Sequence, residues 1–193
     1  LFQAGSNQQK VNLVTLVKDA VFLYPQKFED GSYESLNFGD TKIYGFFLDE
    51  NDATNGNELE WNNDKPYVIY GYAAVPPNKT LNVSEGTQVH FHRNSGLVTF
   101  PNANLNVNGS IENLAVFQGD RLEPSFEDTP GQWDGIWISQ DSDASISNAV
   151  IKNAVDGLFI NKNKLPVNLT NLQIYNCEKN ALLLQVANVI GKN

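Results

Sequence analysis

The sequence has no methionine, one cysteine and two histidines among its 193 residues. The single cysteine, Cys177, excludes a disulfide within the chain, and we expect it to be a small buried thiol. No apolar run approaches the roughly 18 residues that a membrane-spanning helix requires. Because no initiator methionine is present, we expect a processed or truncated start, with residues 1–10 as a tag or linker.

Positive charge is also scarce. The chain has 13 Lys and Arg against 22 Asp and Glu, which gives a formal net charge of −9. A domain of this charge is repelled by phosphate backbones and by anionic lipid headgroups. The arginines, Arg93 and Arg121, form no basic stripe. We therefore expect no nucleic-acid partner, and membrane association only through a lipid anchor.

An internal repeat organises the C-terminal part of the chain. Residues 146–154 are matched by residues 169–177 at an offset of 169 − 146 = 23, and this offset places Ile174 on Ile151. Both copies combine short β-branched runs with asparagine at the ends of the runs. A fixed period of this kind is typical of stacked, similar turns of chain.

Similar periods occur elsewhere in the sequence. At the offset of 23, residues 158–160 fall on residues 181–183. The motif Leu-Asn-Val at 81–83 recurs at 105–107, an offset of 105 − 81 = 24. Two unrelated motifs with nearly the same period indicate that one repeating architecture extends over most of the chain.

We predict an all-β fold, a right-handed parallel β-helix with about 23 residues per coil. Short strands joined by sharp corners form a coil whose successive turns pair in parallel, ~4.8 Å apart. Asparagine, present 26 times, tolerates the left-handed conformation of such corners, and we expect Asn153 and Asn176 to stack at one of them. The apolar residues expected to point inward are Val83, Val89, Phe91, Leu105, Val107, Ile136, Ile138, Ile151, Ile160, Ile174 and Leu183.

The coils are expected at residues 67–193, after an irregular capping segment at residues 11–66. Residues 11–21 fit an extended segment or a short helix. Residues 22–47, rich in aromatics and broken by glycines, predict irregular strands and turns packed on the coil. Residues 67–77 predict a strand ended by two prolines.

The C-terminal stretch Ala181–Ile190 is apolar and is followed only by residues 191–193. A β-helix normally hides its last turn, because an exposed hydrophobic edge pairs with other chains. We therefore expect the helix to be incomplete at its C-terminus. A protein partner, or the remainder of a longer chain, is expected to cover the edge near residues 186–190.

Two segments carry candidate metal ligands. Residues 49–58 form an acidic loop, but an EF-hand register puts Asn51 first and Asn62 last, where carboxylates are needed. His90 and His92 lie two residues apart on a strand, so we expect both on its outer, exposed face. Zinc would need further ligands, and the chain has no other histidine. We expect no metal and no cofactor.

The longest interruption of the pattern, residues 118–133, contains prolines, glycines and charges, and predicts a loop that bulges from the coil. Its acids would serve glycoside cleavage, and its tryptophans would offer a platform for sugars. The favoured interpretation is that the acids are solvated and the tryptophans pin the loop to the coil. The candidate ligand-binding residues are Asp120, Arg121, Glu123, Trp133, Asp134 and Trp137.

Several stretches carry a family resemblance from about Tyr67 to the end. They include Val-Pro-Pro-Asn-Lys-Thr-Leu-Asn-Val, Gly-Thr-Gln-Val-His-Phe, Gly-Asp-Arg-Leu-Glu-Pro, Pro-Gly-Gln-Trp-Asp-Gly-Ile-Trp and Ile-Lys-Asn-Ala. These stretches resemble right-handed parallel β-helix surface proteins of Bacteroidota, which are often lipoproteins. The resemblance implies a β-helix and an extracytoplasmic location, either on the cell surface as an outer-membrane lipoprotein or secreted.

Two functions are consistent with these observations. The first is a non-enzymatic cell-surface or secreted β-helix that acts as scaffold, adhesin or subunit of an envelope complex. The regular Asn-rich coils and the lack of a recognisable catalytic motif favour it. The alternative is a polysaccharide lyase, a glycosidase or a carbohydrate-binding module that uses the Trp133/Trp137 loop. A protein partner is expected in the first case and a glycan in the second.

Overall fold

The computed structural model describes residues 19–193, which are almost entirely β and turn, with about 2% helix. The expectations for residues 1–18, including the choice between an extended segment and a short helix, lie outside the described residues. One 3-10 turn spans Pro124–Phe126. The strands are β1 (Val21–Leu23), β2 (Ser35–Phe38), β3 (Thr41–Phe47), β4 (Glu60–Trp61), β5 (Tyr67–Ile69), β6 (Tyr72–Val75), β7 (Thr80–Ser84), β8 (Gln88–Phe91), β9 (Gly96–Thr99), β10 (Asn104–Asn108), β11 (Ala115–Gly119), β12 (Gly135–Ile138), β13 (Asp143–Lys152), β14 (Asp156–Asn161), β15 (Pro166–Tyr175), β16 (Asn180–Gln185) and β17 (Asn188–Lys192).

These strands form a parallel β-solenoid of about six turns, with coils about 24 residues apart, so the predicted fold class is confirmed. A full coil supplies three strands in succession. For example, β5, β6 and β7 pair in parallel with β8, β9 and β10 of the next coil. The first face holds β1, β5, β8, β11 and the C-terminal parts of β13 and β15. The second face holds β3, β6, β9, β12, β14 and β16. The third face holds β4, β7, β10, the N-terminal parts of β13 and β15, and β17.

The register of the coils confirms two of the predicted offsets. Ile151 pairs with Ile174, at 174 − 151 = 23. Leu81 pairs with Leu105, at 105 − 81 = 24. In both cases like apolar side chains stack from coil to coil on the inner side of the solenoid.

The third offset is wrong by one residue. Leu158 pairs with Leu182, at 182 − 158 = 24, and Phe159 pairs with Leu183. The corner that precedes β16 holds one residue more than the corner that precedes β14, and the extra residue shifts the pairing. Because a shift of one residue exchanges the two sides of a strand, Leu183 pairs with an outward-facing residue and not with an inward one.

A continuous hydrophobic core runs along the solenoid axis. Of the residues predicted to point inward, nine are buried: Val83, Val89, Phe91, Leu105, Val107, Ile136, Ile138, Ile151 and Ile160. Ile174 and Cys177 are only half-buried and pack against the core at its C-terminal end. The expected fully buried thiol is therefore partly accessible, since it lies in the last coil.

Asparagine takes the left-handed conformation at many corners, as predicted. Asn171 Nδ2 donates to Asn148 Oδ1 of the preceding coil at 2.7 Å, and Asn106 Nδ2 donates to Asn82 Oδ1 at 3.2 Å. These bonds are side-chain amide contacts between successive coils. The asparagines with positive φ are Asn78, Asn94, Asn102, Asn148, Asn153, Asn171 and Asn176.

Parallel pairing begins before Tyr67, where the sequence placed the first coil. Strands β1, β3 and β4 already pair in parallel with β5, β6 and β7. The strand expected at residues 67–77 is divided into β5 and β6, because Gly71 turns the chain with φ +70°. A Cβ at this glycine would lie 2.8 Å from the carbonyl oxygen of Tyr44, so a larger residue does not fit.

The segment at residues 22–47 packs on the coils, as expected for irregular strands. Strand β2 pairs antiparallel with the start of β3, and this hairpin covers part of the second face. Leu36 and Ile43 of the hairpin are buried against Tyr72, Ala74 and Val98 of the coils. The outer side of the second face is therefore apolar where the hairpin lies.

The predicted bulge is present between β11 and β12. Leu97 pairs with Ile136, and 136 − 97 = 39 residues is far longer than an ordinary coil.

In the last coil, Leu182 and Leu184 occupy inward register positions but are 40% and 47% exposed.

Candidate functional site

Trp133 lies inside the solenoid and is not a surface platform. Its exposed fraction is 0%, and its ring stacks on Phe91 at 4.2 Å between centroids. Its indole Nε1 donates to the carbonyl oxygen of Lys152 at 2.8 Å. Trp133 therefore pins the loop to the coil, as the favoured interpretation predicted, and it is not available for the sugar platform of the alternative interpretation.

Two corner asparagines hold the loop at residues 118–133. Asn153 Nδ2 donates to the carbonyl oxygens of Glu127 and Thr129, each at 2.9 Å. Asn176 Nδ2 donates to Asp128 Oδ1 at 3.0 Å. Asn153 and Asn176 lie at corresponding corners, but their side-chain amides bind the loop and not each other. The two residues therefore lie one above the other at a corner, as predicted, and the inserted loop supplies the hydrogen-bond partners of their amides.

Arg121 and Glu123 form a local ion pair on the loop. Arg121 Nη2 lies 3.0 Å from Glu123 Oε1, and the guanidinium carbon lies 3.8 Å from the ring centroid of Phe126. The hydrogen bonds from Arg121 lower the pKa of Glu123. Glu123 is therefore held as a carboxylate, which is unsuited to donate a proton to a leaving group.

Asp120 pairs with a histidine of the preceding coil. Its Oδ2 lies 2.7 Å from His92 Nδ1, and the ring of Tyr70 lies 4.7 Å from the His92 ring. This contact directs the other ring nitrogen of His92 away from Asp120. The histidine is exposed, as predicted.

His90 departs from the prediction. It is 4% exposed although it lies on the outer side of β8, in register with Val68 and Gln118. Burial lowers its pKa, and its Nδ1 has no hydrogen-bond partner within the described residues. The period-two pattern correctly predicted that His90 lies on the outer side of the sheet. It does not indicate whether other residues cover that side.

Asp134, which directly follows the loop, contacts the second face of the solenoid. Its Oδ2 accepts a hydrogen bond of 2.5 Å from the hydroxyl of Tyr72 on the second face. Burial, together with this hydrogen bond, raises the pKa of Tyr72. The six predicted residues are therefore divided among separate contacts, and they do not form one catalytic cluster.

Trp137 is the predicted site tryptophan that remains accessible, since it is partly exposed whereas Trp133 is buried. It points outward on the second face in register with Val98 and Phe159, and its ring lies 5.2 Å from Tyr72 and 6.0 Å from Phe38. Around it lies a groove of about 490 Å³. We call it the Trp137 groove; the residues that line it are Asn37, Phe38, Gly39, Thr41, Phe100, Pro101, Trp137, Ile138, Ser139, Gln140, Phe159, Asn161 and Lys162.

The Trp137 groove combines aromatic walls with amide and hydroxyl groups. The rings of Phe38 and Phe100 are 5.4 Å apart, and Phe159 meets Trp137 edge to face at 6.3 Å. Asn161 Oδ1 is buried and has no hydrogen-bond partner within the described residues. Such a groove offers flat apolar surfaces together with groups that both donate and accept hydrogen bonds.

The acidic segment at residues 49–58 is a mostly exposed loop, as expected, but Glu58 is buried. Glu58 Oε2 accepts from the backbone N–H of Asp49 at 3.1 Å, and Oε1 accepts from Asn55 Nδ2 at 3.0 Å. Burial raises the pKa of Glu58. The Glu58 carboxylate thus connects the end of the loop to its first residue and to its middle through hydrogen bonds.

Among residues 19–193, no three His, Cys, Asp or Glu side chains are grouped so that they could hold a metal ion. The absence of a metal and of a cofactor stays a prediction. In the same range, no helix is both long and apolar enough to cross a membrane.

Comparison with known proteins gives no relative. No family model matches the chain, and no curated protein or solved structure is significantly similar to it.

Proposed function

We propose that this protein is a non-enzymatic β-solenoid, on the cell surface or secreted, that serves as a scaffold, an adhesin or a subunit of an envelope complex. One observation carries the proposal: the three acids among the candidate ligand-binding residues are separately engaged. Asp120 contacts His92, and Glu123 contacts Arg121. Asp134, the third, accepts from Tyr72. Glycoside cleavage needs two carboxyl groups across one scissile bond.

The test is an assay for cleavage of neutral and acidic polysaccharides, read as new double bonds and new reducing ends. We expect neither product above the level of a buffer blank. Cleavage that disappears in the Asp120→Asn or Asp134→Asn variant would overturn the non-enzymatic proposal, since each substitution removes one charge at nearly constant size.

A scaffold also needs a surface that joins it to other components. The unpaired strand edges of the last coil are the candidate for this surface. Within the described residues, β16 pairs only with β14, and β17 only with β15. Leu182 and Leu184 present apolar side chains at this end. We include in the proposal a β-rich partner that covers this edge, because unpaired strand edges pair readily with other strands.

Carbohydrate binding is a second candidate, and the Trp137 groove favours it. Sugar rings bind proteins by stacking their C–H faces on aromatic rings while their hydroxyls hydrogen-bond to amides. The groove supplies both kinds of group. A glycan array probed with the protein and with a Trp137→Leu variant tests this function. We expect the array signal to be lost in the variant, while a signal equal to that of the unaltered protein would place binding elsewhere.

A further inference from the structure

The charge of the Trp137 groove differs from that of the whole protein. The chain carries a net charge of −9, yet Lys162 is the one ionisable side chain among the described residues that line the groove. Lys162 is exposed at the corner that follows β14, with φ 51°. The groove therefore has a cation at its edge and no carboxylate in its lining, while the Asp141 carboxylate beside it accepts a hydrogen bond from Gln140 Nε2 at 3.1 Å. This charge is complementary to an anionic ligand and not to a basic one.

We propose that the Trp137 groove binds an acidic saccharide, in which a pyranose ring carries a carboxylate. The ring lies against Trp137, and the carboxylate lies at the Lys162 ammonium group. This inference rests on the carbohydrate-binding candidate above and adds to it the class of sugar.

The groove lining fits a saccharide in size and chemistry. A volume of about 490 Å³ lies within the range of about 300–1,000 Å³ found for small-ligand sites, and fits a short oligosaccharide. The amides of Asn37 and Asn161 supply donors and acceptors for hydroxyl groups, and Gln140, whose Nε2 donates to Asp141 Oδ2 at 3.1 Å, supplies its amide oxygen as an acceptor. Asn161 Oδ1, which lacks a partner, is an acceptor that a ligand hydroxyl would satisfy after a small rotation of the side chain.

The contribution of the charge is modest, and this sets the size of the expected effect. An exposed ion pair raises an affinity by only about 1.4-fold to fivefold, and salt screens it. We therefore expect Lys162 to provide preference among sugars, not the bulk of the affinity. Stacking on Trp137 provides the larger part, and it does not distinguish an acidic sugar from its neutral counterpart.

The experiment compares two probes of equal length, an oligogalacturonate and its fully methyl-esterified form, by titration calorimetry on the full chain. At low salt we expect the acidic probe to bind about threefold to fivefold more tightly. The preference should vanish in Lys162→Gln and persist in Lys162→Arg. Lys164→Gln is the matched control, because Lys164 is exposed close by but does not line the groove.

The outcomes separate the two proposals. Equal affinity for both probes, or the same loss of preference in Lys164→Gln, overturns the acidic-sugar inference and leaves carbohydrate binding intact. Binding of neither probe at millimolar concentration, with the array also negative, overturns carbohydrate binding itself. A proline-rich peptide that binds the groove while both sugars fail would likewise contradict the inference and identify a peptide site.

Discussion

Phe91 and Trp133 stack face to face in the solenoid core, with ring centroids 4.2 Å apart and planes 6° from parallel. Phe91 ends β8, whereas Trp133 ends the inserted loop of the following coil. Trp133 also donates a hydrogen bond to Lys152 of the coil after that. One side chain thus ties the base of the longest loop to the coils before and after it.

Replacing Trp133 by alanine should destabilise the fold strongly. The substitution removes a fully buried ring and leaves the carbonyl oxygen of Lys152 without its donor. We expect a loss of about 3–5 kcal/mol in the free energy of unfolding, measured by chemical denaturation. Trp133→Phe, which keeps an aromatic ring, should lose less. A Trp133→Ala variant within about 1 kcal/mol of the unaltered protein would contradict this role.

The corner residue Asn153 should control the mobility of the loop. Asn153→Gly keeps a residue that accepts φ 64° but removes both hydrogen bonds to the loop backbone. We expect faster tryptic cleavage after Arg121, the basic residue of the loop. Asn171→Gly is the control, because its amide bonds to Asn148 and not to the loop. Equal cleavage rates in the two variants would refute the anchoring role of Asn153.

His90 should make stability depend on pH. Burial lowers its pKa in the folded state, so the unfolded chain binds the proton more readily. Its contribution to stability is therefore complete above the unfolded pKa of about 6.5 and is lost progressively as the pH falls from that value through the lower pKa of the folded state. We expect this component of the pH profile, measured by denaturation from pH 5 to 8, to disappear in His90→Gln and to remain in His92→Gln. An unchanged profile in His90→Gln would show that another group is responsible.

The open coil end should promote self-association of the 193-residue chain. Leu182 and Leu184 occupy inward register positions at this end, whereas Leu183 pairs with the outward-facing Phe159. We expect lysine at Leu182 or Leu184 to reduce association in light scattering at matched concentrations. Leu183→Lys should have a smaller effect because it lies off this end surface. The edge proposal fails if the unaltered chain is a stable monomer, or if all three variants behave alike.

The period of the coils was predictable because the same apolar positions recur in each turn. Leu81 and Leu105 illustrate this, since their motifs are identical and both are fully buried. The pairing of Leu158 was not predictable, because one extra residue in a corner changes the register without leaving a clear mark in the sequence. Short corners conceal such insertions whenever the strands on both sides are apolar.

The candidate site was only partly predictable. Alternation along β12 places Ile136 and Ile138 inward, so Trp137 had to point outward, as it does. Trp133 precedes that strand, at a corner where alternation gives no direction. The Trp137 groove also depends on Phe38 and Phe100, which come from a hairpin and from an earlier coil. Nothing in the local sequence indicates that these residues meet.

Collisional quenching of tryptophan fluorescence most directly tests the central claim about the candidate site, which is that a ligand binds at the Trp137 groove and not at the inserted loop. Trp61 and Trp133 are 1% and 0% exposed, whereas Trp137 is partly exposed. We predict that acrylamide quenches mainly Trp137 and that oligogalacturonate protects it, with both effects lost in Trp137→Phe. Protection that survives in Trp137→Phe but disappears in Trp133→Phe would contradict this account.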